Sequence, residues 1–248
     1  MLNGKPDNVI CMPRSNNSLL RSRNEDTAKV SFSELLFDLI YVFAVTQISH
    51  SLLHNLTWLG FVQSTIIWFA VWLGWQHTTW VTNWFNPNTR VVRMLLFVLM
   101  LIGLLMAARI PMALEDRGLI FVLCYIVIQI GRTVAILIIL GRKHHLTNNF
   151  KRILGWFIIS AIFWLIGVFE EGYTRIAFWA IAVIVDYTSP MFGFYLPFLG
   201  RSVSSEEWTI DGHHLTERSQ LFGIIAFGET ILMTGASLSE IEHWTAPV

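Results

Sequence analysis

Three ionisable residues fall where this chain can least easily accommodate them. Arg132, Asp186 and Glu229 each lie near the middle of a long apolar run. An ionised side chain at the centre of a bilayer costs roughly 2.5 to 3.5 kcal/mol, so each requires a partner, a water cavity or a proton. Ionised together they sum to one negative charge, so one carboxylate can pair with Arg132 while the other is left to act as a proton carrier. A structural triad that sorts helices, with the spare carboxyl neutral, is the competing reading. Asp186 opens the run Asp186-Tyr-Thr-Ser-Pro190-Met-Phe-Gly193-Phe-Tyr-Leu-Pro197. Proline removes a backbone donor and clashes with the preceding turn. A helix break at Pro190, Gly193 and Pro197 would free carbonyls beside Asp186, as at the midplane sites of many transporters. A simple proline kink accounts for the same residues.

A second polar group gathers towards one end of the apolar runs: Glu34, Asp38, Gln76, His77, Arg93, Glu217 and Arg218. Glu34 and Asp38 are four apart on one helical face and need a nearby cation, for which Arg93 or Arg218 is placed. Histidine ordinarily titrates near neutrality, so His77 beside Asp38 would suit a pH gate or proton relay. A satisfied polar network closing the bundle is the plainer reading. His213, His214 and Glu217 have spacing that suits a metal, yet no third or fourth ligand accompanies them, so no metal site is expected. Walker A, Gly-x-Ser-x-Gly, His-Glu-x-x-His and Gly-x-Gly-x-x-Gly patterns are absent from the sequence. No catalytic residue and no cofactor is expected, and an enzyme is disfavoured. An intramembrane lipid-modifying enzyme using Asp38 and His77 is kept as a minor alternative.

The elements that must hold these groups are membrane helices. Of 248 residues, 54% are hydrophobic and only 14% charged, against about 25% charged in soluble domains. Formal charge is zero, which argues against a nucleic-acid partner and leaves the lipid bilayer as the expected surroundings. A polar leader (1–30) precedes seven apolar runs, at about 31–53, 61–81, 91–109, 118–140, 152–169, 175–198 and 217–238, with a short tail at 239–248. Most approach the roughly 20 residues that span a bilayer. Their continuous apolarity fits helices and not barrel strands, so the fold class is an all-α polytopic membrane bundle. Thirteen Lys and Arg lie in the leader and alternate loops against three in the others. That bias predicts a cytoplasmic N-terminus. Ser31 and Glu34 have capping-box spacing. Trp58, Trp80, Trp84, Trp156, Trp208 and Trp244 read as interfacial anchors, Trp68, Trp72 and Trp75 as a packing stripe, and Gly103 with Ala107 as a close-approach pair. Cys11 and Cys124 suggest neither a disulfide nor a zinc site.

The run Ser33-Glu34-Leu-Leu-Phe37-Asp38-Leu-Ile-Tyr-Val-Phe43, with His214-Leu215-Thr-Glu217-Arg218 leading to Gly228-Glu229, resembles the bacterial low-temperature-requirement A family. Trp80-Val-Thr-Asn83-Trp84-Phe-Asn-Pro-Asn-Thr-Arg90 and Ala107-Ala-Arg109-Ile-Pro111 are similar to its second and third helices. The resemblance implies an integral inner-membrane protein linked by name to growth in the cold, and supplies neither substrate nor reaction. Members of that family are longer, with further helices after the Gly-Glu segment, so a shortened chain is expected. The favoured functional reading is a permease for a small solute or ion, proton-coupled through Glu229 or Asp186. A non-transporting sensor, receptor or scaffold is the second class.

Overall fold

The structure, a computed structural model, describes residues 19–21, 29–113, 118–202 and 210–239. The tail beyond 239, most of the leader, Cys11, Trp208 and Trp244 lie outside the described residues. Among the described residues the fold is helical: α1 (Phe32–His54), α2 (Trp58–Trp84), α3 (Arg90–Ala108), α4 (Gly118–Leu140), α5 (Thr147–Phe169), α6 (Gly172–Met191) and α7 (Gly212–Ser239). Helices α1 to α5 are each long and apolar enough to cross a bilayer. Consecutive helices run in opposite directions. We call the near end the one where α1, α3, α5 and α7 begin.

Local chemistry fixes the helix ends. Ser31 caps α1: its hydroxyl accepts from Glu34 N–H, while Ser31 N–H donates to Glu34 Oε2 at 2.9 Å. Thr57 caps α2 through Gly60 N–H at 3.0 Å. Gly141, with φ +69°, ends α4 in a conformation that glycine adopts without a Cβ penalty. Midway along α4, Val127–Gly131 winds as a π-turn. Such a turn inserts an extra residue into the helical repeat and is common at functional sites.

α1 packs against α2, α3 and α7, and α5 against α4 and α6. A Cβ at Gly103 would meet Ile40 and Tyr41 of α1 at ordinary van der Waals distances of 3.5 and 3.8 Å, so α3 packs on α1 without needing a glycine there. Trp68, Trp72 and Trp75 stack along α2, the latter two against Phe222 of α7. Trp58 is exposed but Trp84 is buried, so the tryptophans at helix ends do not form one class.

The sequence reading carried the sixth segment to residue 198 with a break inside it, and the structure corrects this. Helix α6 ends at Met191, with Pro190 in its last turn, so Asp186 lies about 8 Å from the helix end at 1.5 Å per residue. Residues 192–202 then fold across the near end. Gly193 and Phe194 turn the chain with φ of +60° and +49°. That left-handed backbone costs a non-glycine residue roughly 1–2 kcal/mol, offset here because the Phe194 ring is fully buried among Leu73, Val81 and Phe157. Arg152 of α5 holds the loop through two bonds to Leu199 O (2.9 and 2.8 Å), and Trp156 donates to Tyr195 O at 3.1 Å.

Two glycines test this packing in opposite directions. A Cβ at Gly167 would lie 2.5 Å from Cδ1 of the buried Trp179 ring, whereas nothing lies within 4 Å of one at Gly223. Gly167→Ala is expected to destabilise by about 1–3 kcal/mol through overpacking. Gly223→Ala is expected to be neutral or stabilising by up to about 1 kcal/mol. Thermal unfolding of the purified protein in detergent reads both.

Candidate functional site

Arg218, in the second turn of α7, is fully buried between two carboxylates of α1. Its Nη2 donates to Asp38 Oδ1 at 2.9 Å and its Nε reaches both Asp38 oxygens at 3.2 Å. Nη1 donates to Thr82 Oγ1 at 2.5 Å and to Glu34 Oε1 at 3.4 Å. Trp75 Nε1 adds a 2.6 Å bond to Asp38 Oδ1. The guanidinium carbon lies 5.6 Å from the Phe37 ring centre and 6.0 Å from that of Trp75, a cation–π setting. Burying an ion pair is favourable only when its remaining polar atoms are bonded, and here they are. Glu34 is saturated in the same way: Oε2 accepts from Arg21 Nη2 (3.2 Å) and from Ser31 N–H and Oγ–H (both 2.9 Å). Counted together, Glu34 and Asp38 face Arg218 and Arg21, so the cluster balances.

His214 completes it, and its tautomer follows from its neighbours. Asp211 N–H donates to Asn83 Oδ1 at 2.9 Å, which fixes the amide and turns Asn83 Nδ2 towards His214 Nδ1 at 3.1 Å. Nδ1 therefore accepts, the ring proton sits on Nε2, and Nε2 donates to Glu34 Oε1 at 3.1 Å. Asn83 also donates to Asp211 O at 2.9 Å, which ties the end of α2 to the start of α7.

The second network centres on Arg132, just past the π-turn. Nη1 donates to Thr78 Oγ1 (2.9 Å) and Gly74 O (3.3 Å), and Nη2 to Gln129 Oε1 (2.6 Å). Gln129 Nε2 donates to Tyr125 OH at 3.2 Å, and Tyr125 O–H donates to Asp186 Oδ2 at 2.9 Å. The expected direct pair between Arg132 and a carboxylate is therefore replaced by a relay of two neutral side chains. Asp186 Oδ1 and the nearby Trp164 Nε1 are buried with no hydrogen-bond partner among the described residues. Asp186, Tyr125, Gln129, Ser160 and Trp164 border a cavity of about 10 Å³. That is close to the least volume that holds one water.

The other sequence-derived candidates are placed as follows. Arg93 is exposed and bonds Asn88 O at 3.0 Å, so Arg218 is the cation for Glu34 and Asp38. Gln76 and Glu217 are half-buried outside both networks. His77 is buried but is not beside Asp38. It packs edge-on against Trp80 and Phe157, with ring centres 4.7 and 4.9 Å apart, because the helical turn directs Trp75 and Thr82, not residue 77, towards Asp38. The acid-base pair that a lipid-modifying enzyme would need is therefore split. Pro190, Gly193 and Pro197 belong to the end of α6 and the loop beyond it.

Depth separates the members of the expected triad. At 1.5 Å per residue, Asp38, Arg218 and Arg132 lie about 9, 9 and 12 Å from the near end, while Asp186, beside Ser160 of α5 and bonded to Tyr125 of α4, lies about 20 Å from it and Glu229 about 26 Å. Glu229 is deepest because α7 begins five residues before its apolar run. The Arg218 cluster thus lies in the near half, and the second network runs from Arg132 inwards to Asp186. Glu229 instead lines an open groove between the far halves of α1 and α7.

Sequence reasoning did not assign Arg21, Trp75, Thr82 or Asn83 to the cluster. Trp75 and Asn83 stood in patterns that had been noted, but a stripe and a motif do not say what a side chain bonds. Arg218→Ala and Asp38→Ala are each expected to cost about 3–5 kcal/mol, because each strands a buried charge. The double variant should cost at least about 1 kcal/mol less than the sum, measured by unfolding in a denaturing-detergent titration. Strict additivity would mean that the two charges do not interact.

An uncharacterized protein of Rhizobium meliloti (strain 1021) is 40% identical over 226 residues, covering 90% of this chain and 55% of that protein. The chain therefore spans about half the length of this curated relative. No solved structure matches it significantly. The family model described as Bacterial low temperature requirement A protein (LtrA) matches residues 29–248. By that match, which takes in the groove and, apart from Arg21, both buried networks, the chain belongs to the bacterial low temperature requirement A protein family.

Proposed function

We propose that this chain forms part of a secondary transporter for a small solute or ion in the bacterial inner membrane, coupled to protons at Asp186. In this reading all seven helices cross the bilayer with the N-terminus in the cytoplasm, as the bias of Lys and Arg suggests. The near end is then cytoplasmic. The observation that carries the reading is Asp186: an enclosed carboxyl group with one unpartnered oxygen, joined by Tyr125 and Gln129 to a buried cation. Intramembrane ionisable groups of this kind mark proton relays and substrate paths. Two further features support it. The Arg218 cluster and the buried Phe194 ring occupy the near half, and a groove lies between the far halves of α1 and α7. Alternating access would release the first and close the second.

A non-transporting sensor is the second reading. It draws on the density of packing at Asp186 and at the tryptophan stripe, where each cavity measures about 10 Å³. Flux separates the two.

Metabolites that differ between null and complemented cells supply candidate cargo, and uptake into proteoliposomes under an imposed pH gradient supplies the test. Wild-type protein is expected to accumulate cargo when the gradient is present. Asp186→Asn is expected to lose that accumulation by about tenfold or more, the scale of one interaction worth about 1.4 kcal/mol, while exchange without a gradient persists. Accumulation unchanged in Asp186→Asn overturns the coupling role, and absence of any flux favours the sensor.

A further inference from the structure

The groove between α1 and α7 has a volume of about 440 Å³. This lies within the range of small-molecule sites. The polar groups along it are unusually one-sided. Thr46 Oγ1 donates to Val42 O at 3.2 Å and Ser49 Oγ to Val45 O at 3.1 Å on α1. On α7, Thr230 Oγ1 donates to Ala226 O at 2.9 Å and Thr234 Oγ1 to Thr230 O at 2.8 Å. A carbonyl oxygen can only accept, so each hydroxyl has spent its single hydrogen on its own helix. What these four side chains show the groove is lone pairs. Glu229 adds a carboxyl group, and His50 is the one lining side chain with a hydrogen to offer. The remaining walls are aliphatic, as at Leu53 and Met233.

We propose that this groove binds a primary alkylammonium: a cationic head with three hydrogens to donate and an apolar body. The head would meet Glu229 and the hydroxyl lone pairs, and the body would lie along the aliphatic walls. An anion would meet the Glu229 carboxyl group and the hydroxyl lone pairs, with His50 as the one lining donor. A bare metal ion would find a space far wider than its coordination sphere. As a substrate site the groove rests on the transport reading above; as a binding site it does not.

Titration calorimetry on the full chain in lipid nanodiscs, with empty nanodiscs subtracted, tests this with n-pentylammonium against 1-pentanol and pentanoate. Saturable binding of the ammonium alone is expected. Glu229→Gln should weaken it about tenfold or more, and Glu229→Asp should retain most of it, which guards against a folding defect. Equal binding to wild type and Glu229→Gln, equal binding of the alcohol, or no saturable binding overturns the proposal and marks the groove as a lipid-facing seam. Ammonium binding that depends on Glu229 without flux of any cargo leaves the site standing and removes the transport reading. Proton-driven flux of another cargo without ammonium binding does the reverse.

Discussion

A buried guanidinium held between two carboxylates on another helix is the constraint around which the bundle closes. Arg218 reaches α1 through Glu34 and Asp38 and α2 through Thr82, so one side chain joins three helices. Desolvation makes such a cluster costly unless every polar atom is bonded. Groups from the leader, from Trp75 and from the Asn83–His214 pair bond the two carboxylates, while Nη1 of Arg21 is buried with no hydrogen-bond partner among the described residues. Packing of apolar surface between membrane helices supplies little directional preference, because lipid is as apolar as leucine. Polar geometry therefore sets which helices meet near the cluster.

The Arg132 network solves the opposite problem. Its cation is held by neutral acceptors, with the nearest carboxylate in the network two side chains away. An ion pair in direct contact would be a stable structural weld. A pair separated by an amide and a phenol leaves one carboxylate oxygen unsatisfied, with the amide's orientation fixed by the guanidinium, which can only donate. That difference makes Arg218 read as structure and Asp186 as chemistry.

Much of the helical framework was legible in the sequence, because long apolar runs leave little alternative once their polar ends are capped. The Ser31–Glu34 cap could be read locally. The partners were less legible. His77 and Trp75 are two residues apart, and only the rotation of α2 against its neighbours decides which meets Asp38. The depth of Glu229 was misjudged because helix α7 starts in a polar stretch that hydropathy does not register. Arg21 stood in a polar leader, where composition offers no hint of burial. The π-turn carried no local signal that distinguishes it from ordinary helix, although Gln129 within it and Arg132 just past it had polar side chains to place. The family resemblance was recognisable because motif residues such as Glu34, Asp38, His214 and Arg218 are the bonded ones.

Glu34 and Asp38 are separated from Arg218 by about 180 residues of chain. A ribosome making this protein therefore delivers two acids to the membrane long before it delivers their cation. Arg21 is synthesised first and can accompany Glu34 from the outset, but Asp38 has no such early companion in the structure. The first helix must then stay loosely lodged, or shielded by the insertion machinery, until the seventh arrives. Biogenesis of the bundle thus has a built-in waiting step, and the leader arginine shortens the list of charges that must wait.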